Sequence, residues 1–111
     1  MSQPLRDLIM KYLALIAALF VSIPSMAGDI DVGKAGATVC AGCHGLDGIS
    51  TAPGFPSLAG QDLKYLITQL TAFREKTRTG GQSVIMYGMA AGLSDEDIEN
   101  LSTYFSSLKM P

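Results

Sequence analysis

Residues 40–44 read Cys40-Ala41-Gly42-Cys43-His44, and they hold both cysteines and the single histidine of a 111-residue chain. Several chemistries use such a cluster. In the first, C-x-x-C-H marks covalent haem attachment. Two thiols three residues apart sit on one turn of chain, where they can add across two vinyl groups on one side of a haem. His44 then projects its imidazole toward the iron, and the small Ala41 and Gly42 leave room for the macrocycle. The second is a thioredoxin-like dithiol, which needs a preceding strand and a βαβ setting. No strand-like alternation precedes Cys40. The third is zinc, which wants four ligands, so carboxylates would have to complete the shell. A structural disulfide is the remaining use of the pair.

The start of the chain bears on that choice. Residues 1–27 contain 18 hydrophobic residues, against 35 in residues 28–111. Arg6 and Lys11 precede an apolar run from Tyr12 to Ile23, interrupted only by Ser22. Pro24 and then Ser25-Met26-Ala27 follow. A basic flank, a short apolar centre and a small-x-small ending are the parts of a secretory signal. The run falls short of the roughly 20 apolar residues of a membrane span. The sequence therefore predicts a signal at 1–27, cleaved after about Ala27, and a single domain at 28–111. An uncleaved anchoring helix is the competing reading. Export favours haem, because c-type attachment takes place outside the cytoplasm.

The whole chain is 48% hydrophobic and 16% charged, with a net charge of −2. Its length excludes large enzyme folds and leaves room for one domain. Residues 28–111 carry six basic and nine acidic groups, a net of −3. That balance argues against a nucleic-acid partner, which would require a basic surface. All 12 glycines fall in this part. A domain this small often depends on a metal, a disulfide or a cofactor to complete its core.

Around the motif the patterns are helical. Val32 to Val39 is a short helix candidate that tolerates Gly33 and Gly36. Residues 45–60 read as loop, with turn signals at Gly45, Asp47-Gly48, Pro53-Gly54, Pro56 and Gly60. From Asp62 to Phe73 the apolar positions Leu63, Leu66, Ile67, Leu70 and Phe73 repeat at helical spacing, with Asp62 as the start. A polar loop covers Thr77 to Gln82, and a short turn carries Met86. Ser94 then caps a last helix whose first turn is Asp95-Glu96-Asp97. Ile98, Leu101, Tyr104, Phe105 and Leu108 form its apolar stripe. Tyr65, Tyr104 and Phe105 read most simply as core residues. With His44 the only histidine, a sixth iron ligand from this chain would be a methionine, a lysine or another atom. Met86 and Met89 are three apart and can share a helical face; Met110 sits at the chain end.

Taken together, these stretches resemble the class I cytochromes c, and most closely one lobe of the cytochrome c4 type. The resemblance runs over residues 29–108. It rests on CAGCHGLDG (40–48), PGFPSLAGQ (53–61), YLITQLTAFR (65–74), Arg78-Thr79-Gly80, and Met86 followed by LSDEDIENLSTYFSSL from Leu93. It implies an all-α class I cytochrome c fold, with three main helices and loops wrapped around one covalently bound haem c. Cys40 and Cys43 would carry the thioether bonds, and His44 would be the proximal iron ligand. Met86 would be the distal ligand, because the family's methionine stands seven residues before the leucine here numbered Leu93. Met89 is out of that register and would pack beside the haem. Pro56 matches the proline whose carbonyl accepts the His44 Nδ1–H bond. Gly33 and Tyr104 match the crossing of the first and last helices. Arg78 stands where a basic residue often approaches a propionate. A single CxxCH means a single attachment site.

The functional expectation is a periplasmic electron carrier, not an enzyme, passing single electrons between transient redox donor and acceptor proteins. Contact with a membrane would arise only through translocation or through membrane-bound redox partners. A cytochrome subunit of a larger oxidoreductase has the same haem chemistry. A haem enzyme or gas sensor would need an open sixth position and a polar distal group.

Overall fold

The computed structural model describes residues 2–19 and 28–111. Among them the backbone forms helices and turns and no strand, so the chain is all-α as expected. The first helix, α1, spans Gln3–Leu19. Side chains 2–17 are exposed. Among the described residues no helix is long and apolar enough to cross a membrane. The expected cleavage point after Ala27 lies outside the described residues.

Helix α2, Ile30–Gly36, begins two residues before the position expected from its apolar pattern. The reason is Asp29. Its carboxylate accepts the otherwise unpaired amides of Asp31 (2.9 Å) and Val32 (3.1 Å), satisfying the open end of the helix. A 3-10 turn at Ala37–Cys40 follows and leads straight into α3, Ala41–His44. The expected single helix from Val32 to Val39 is thus two tightening turns that end on the cysteine motif.

Helix α4, Leu63–Arg74, starts on Asp62, whose side chain accepts the Tyr65 amide. The segment expected as a short turn around Met86 is a helix of two turns, α5, Ser83–Ala90. Ser83 is buried and its hydroxyl is tied back to the Gly80 carbonyl. Burial of Ala90 holds the far end. Helix α6, Asp95–Ser107, opens with a capping box. Ser94 Oγ accepts from the Asp97 amide at 3.0 Å, and the Asp97 carboxylate accepts from the Ser94 amide at 2.9 Å.

Helix α6 is the centre of the assembly, with α2 crossing it on one side and α4 packing on another. Ala37, Leu66, Leu101, Tyr104 and Phe105 form the buried core. The α2–α6 crossing is close enough to require glycine. A Cβ built on Gly33 would stand 2.0 Å from the Asn100 carbonyl oxygen and 2.9 Å from Tyr104 Cβ. Arg74 joins the end of α4 to the start of α6, binding Asp95 at 2.8 Å and donating to the Leu93 carbonyl at 3.1 Å. The Asp95 hydrogen bond is the main reason the Arg74 guanidinium is held even more firmly in its charged form than usual. Tyr65 departs from its expected core role. It is half exposed, because Leu66 and Leu70 take the face of α4 that meets the core.

Candidate functional site

One cavity of about 580 Å³ opens between α4, α5, α6 and the turns on either side of His44. Its size falls in the range of about 300–1,000 Å³ typical of cofactor sites. The sequence-predicted residues Cys40, Cys43, His44, Pro56, Arg78 and Met86 all line it, though they span 47 positions of chain.

No disulfide joins Cys40 and Cys43. Cys40 is partly buried and Cys43 is exposed. Burial pushes the Cys40 thiol above its ordinary pKa, and the neighbouring Cys43 adds to the shift, since both effects disfavour the thiolate. Neither a redox dithiol nor a zinc site gains support from the surroundings. The motif follows a helical turn and not a strand. Among the described residues no group of three or more His, Cys, Asp or Glu side chains is placed to hold a metal ion.

His44 is buried, and its orientation is fixed by the loop that follows. Gly45 turns the chain out of α3 with a φ of 86°. The Gly48 carbonyl then accepts from the amides of Leu58 and Ala59, while Ser50 Oγ reaches back to the Cys43 carbonyl. The loop closes so that the Pro56 carbonyl oxygen lies 2.7 Å from His44 Nδ1. A carbonyl can only accept, so Nδ1 carries the proton and Nε2 keeps its lone pair for a ligand. Phe55 meets the ring edge-on, with 6.5 Å between centroids. It escaped the sequence analysis because one aromatic in a proline- and glycine-rich loop has no periodicity to mark it.

Met86 and Met89 both line the cavity from α5. Met86 is half-buried, whereas Met89 is exposed. Arg78 reaches the wall with its guanidinium 4.6 Å above the Phe73 ring and bonded to Gln69 Oε1 at 3.0 Å. The Tyr87 hydroxyl donates to the Arg78 carbonyl. These three contacts tie Arg78 to the last turns of α4 before it and to α5 after it, all within nine positions of chain. The lining is otherwise largely apolar, with Leu66, Leu70, Leu93, Leu101 and Phe105 on its inner side. A greasy slot, two thiols at one edge and a single oriented imidazole fit a flat, covalently attached macrocycle with a coordinated metal.

Known proteins bear this out. The family model described as cytochrome c matches residues 30–109. Cytochrome c-554(548) of Halomonas halodenitrificans is 44% identical over 81 residues, which cover 73% of this chain and 98% of that one. Cytochrome c4 of Pseudomonas aeruginosa is 45% identical over 84 residues, covering 76% of this chain and 40% of that one. The crystal structure of reduced recombinant cytochrome c4 from Pseudomonas stutzeri superposes with a TM-score of 0.66 at 43% identity. That match covers 75% of this chain and 47% of the solved one, so the chain spans less than half the length of these two cytochromes c4. The match through the motif, the loop and α4 to α6 leaves one assignment: the chain belongs to the cytochrome c family, as an electron-transferring c-type cytochrome with one covalently bound haem c.

Proposed function

We propose that the chain is a periplasmic one-electron carrier whose haem iron is held between His44 and Met86. The observation that carries this reading is the 2.7 Å His44–Pro56 contact inside a cavity that also holds both cysteines and Met86. Bound there, the haem supplies an iron that cycles between ferrous and ferric states. Cys40 and Cys43 anchor it through thioether bonds. Pro56 holds the imidazole in one tautomer, so Nε2 meets the metal in a fixed direction and with raised basicity. Met86 offers a soft, neutral thioether, a choice that raises the reduction potential. With His44 and Met86 both given to the iron, the protein would leave no open position for substrate, and the apolar lining would exclude water. Arg78 is the proposed contact for a propionate.

Partners are redox proteins that meet the open side of the cavity. Val39 and Ile85 are exposed there and give an apolar contact of the small size suited to brief encounters. The net charge of residues 28–111 is negative, which favours partners presenting basic patches. The leading segment, residues 1–27, is proposed as the export signal, leaving the domain at 28–111.

The test is the intact mass and visible spectrum of the exported protein with its Met86→Ala and Met89→Ala variants. We expect loss of residues 1–27, one added haem and a low-spin ferric spectrum with a methionine–iron band. Met86→Ala abolishes the band and Met89→Ala keeps it. A band that survives Met86→Ala refutes the ligand assignment; a retained leader refutes the cleavage.

A further inference from the structure

We propose that the flank of α6 at Glu99 and Thr103 is a docking site for the α-amino group that signal cleavage creates on Gly28. This rests on the proposed cleavage after Ala27. The first observation is Thr103 itself. Its hydroxyl is buried and has no hydrogen-bond partner among the described residues. A helical threonine ordinarily answers that need by donating to the carbonyl four residues back. Thr68 and Thr71 of α4 do so, at 2.9 and 2.8 Å. Thr103 does not, and an unmade bond by a buried polar group is costly.

The second observation is what buries it. A Cβ built on Gly28 would lie 2.3 Å from Thr103 Oγ1 and 2.6 Å from the Glu99 carbonyl oxygen. The Gly28 backbone therefore rests directly on these two oxygens, and a residue with a side chain would be pushed away from them. Covalent geometry puts a residue's nitrogen about 2.5 Å from its Cβ position. The Gly28 nitrogen is accordingly within about 5 Å of the Thr103 hydroxyl.

The register is pinned by the next residue. The Asp29 amide donates to Asn100 Oδ1 at 2.8 Å, and Asn100 is buried. Gly28 thus lies over Glu99 and Thr103 while Asp29 lies over Asn100.

In the uncleaved chain the Gly28 nitrogen is a neutral peptide amide with one hydrogen. Cleavage turns it into an ammonium with three donors and a positive charge. The Thr103 hydroxyl oxygen and the second lone pair of the Glu99 carbonyl are acceptors for it, and charge-assisted bonds are the stronger kind. Removal of the leader then adds a positive charge and two further donors to a nitrogen that offers only one neutral N–H in the uncleaved chain.

The test is a double-mutant cycle on the haem-loaded protein. One axis is Thr103→Val, which keeps the shape and removes the hydroxyl. The other is a chain lengthened by two residues before Gly28, compared with one that starts at Gly28. Intact mass first establishes the start, and urea unfolding followed by far-UV circular dichroism gives the equilibrium constants. With a free Gly28 amine, Thr103→Val lowers the folding equilibrium constant about tenfold, the scale of one hydrogen bond to a charged group. In the lengthened chain it leaves that constant unchanged or higher. Reductive methylation mapped by mass spectrometry is the second readout: the α-amine reacts slowly in the parent and faster in Thr103→Val. Equal effects of Thr103→Val in both backgrounds, or an α-amine equally reactive in both proteins, overturn the docking while the cleavage stands. A natural start other than Gly28 overturns both.

Discussion

Replacing Gly33 with alanine tests how tightly the fold is built around its helix crossing. The new Cβ would lie 2.0 Å from the Asn100 carbonyl oxygen, 2.7 Å from the Asn100 carbonyl carbon and 2.9 Å from Tyr104 Cβ. Close carbon–oxygen contacts settle near 3.3–3.6 Å, so α2 and α6 must separate by about 1.4 Å. The opposing oxygen belongs to the backbone of α6 and cannot rotate aside. Separation also loosens Ala37, Leu101 and Tyr104 in the core, and overpacking of this kind costs about 1–3 kcal/mol or more. Alanine returns about 0.5–1 kcal/mol of helix propensity. The steric term wins, and we expect a net loss of about 2 kcal/mol. At about 4–8 °C per kcal/mol for a domain of this size, Tm falls by roughly 10 °C. The assay is thermal and urea unfolding of the haem-loaded protein by circular dichroism. Gly36→Ala is the control, because its Cβ would meet only the end of the Leu101 side chain at 3.4 Å. It should be neutral or slightly stabilising. A Gly33→Ala protein as stable as the parent would refute the reasoning.

Other outcomes follow from the same structure. Removing both thiols, as Cys40→Ala with Cys43→Ala, should make the haem extractable by acidified ketone. The haem-free chain should lose cooperative unfolding, because 580 Å³ at about 24 cal/mol per Å³ approaches the whole stability of a small domain, about 5–15 kcal/mol. A haem-free chain that keeps full helicity and melts sharply would contradict this. Ser94→Ala removes one half of the capping box and should cost about 1 kcal/mol, read as a lower urea midpoint with an unchanged spectrum. Arg78→Gln should lower the reduction potential in a redox titration, since a guanidinium at the cavity wall disfavours the more positive ferric state; an unchanged or higher potential would remove Arg78 from the site.

The parts legible in the sequence are those written in local chemistry. Asp62 and Ser94 each cap the helix they were expected to start, because a capping side chain bonds to amides two or three residues ahead. The apolar stripe of α6 is buried through Ile98, Leu101, Tyr104 and Phe105, because side-chain spacing along a helix fixes its inner face. The family pattern also pointed to the Gly33–Tyr104 crossing and to the Pro56 carbonyl; Gly33 packs against Asn100 and Tyr104, and the Pro56 oxygen lies 2.7 Å from His44 Nδ1. Where local signals compete, the sequence misled. The start of α2 moved to the Asp29 cap. The Met86 segment became a helix through burial at both ends, and Tyr65 lost its core place to Leu66 and Leu70.

By itself, then, the sequence determined the haem motif, the helix caps, the inner face of the last helix and the acidic balance of residues 28–111. All of these depend on residues near one another in the chain. Only the tertiary structure decided the cavity and the seat of Gly28 on Thr103 and Glu99. Those features join residues that are distant in sequence or brought together by the packing of separate helices. Their partners are chosen by how α2, α4, α5 and α6 pack, and no spacing along the chain encodes that choice.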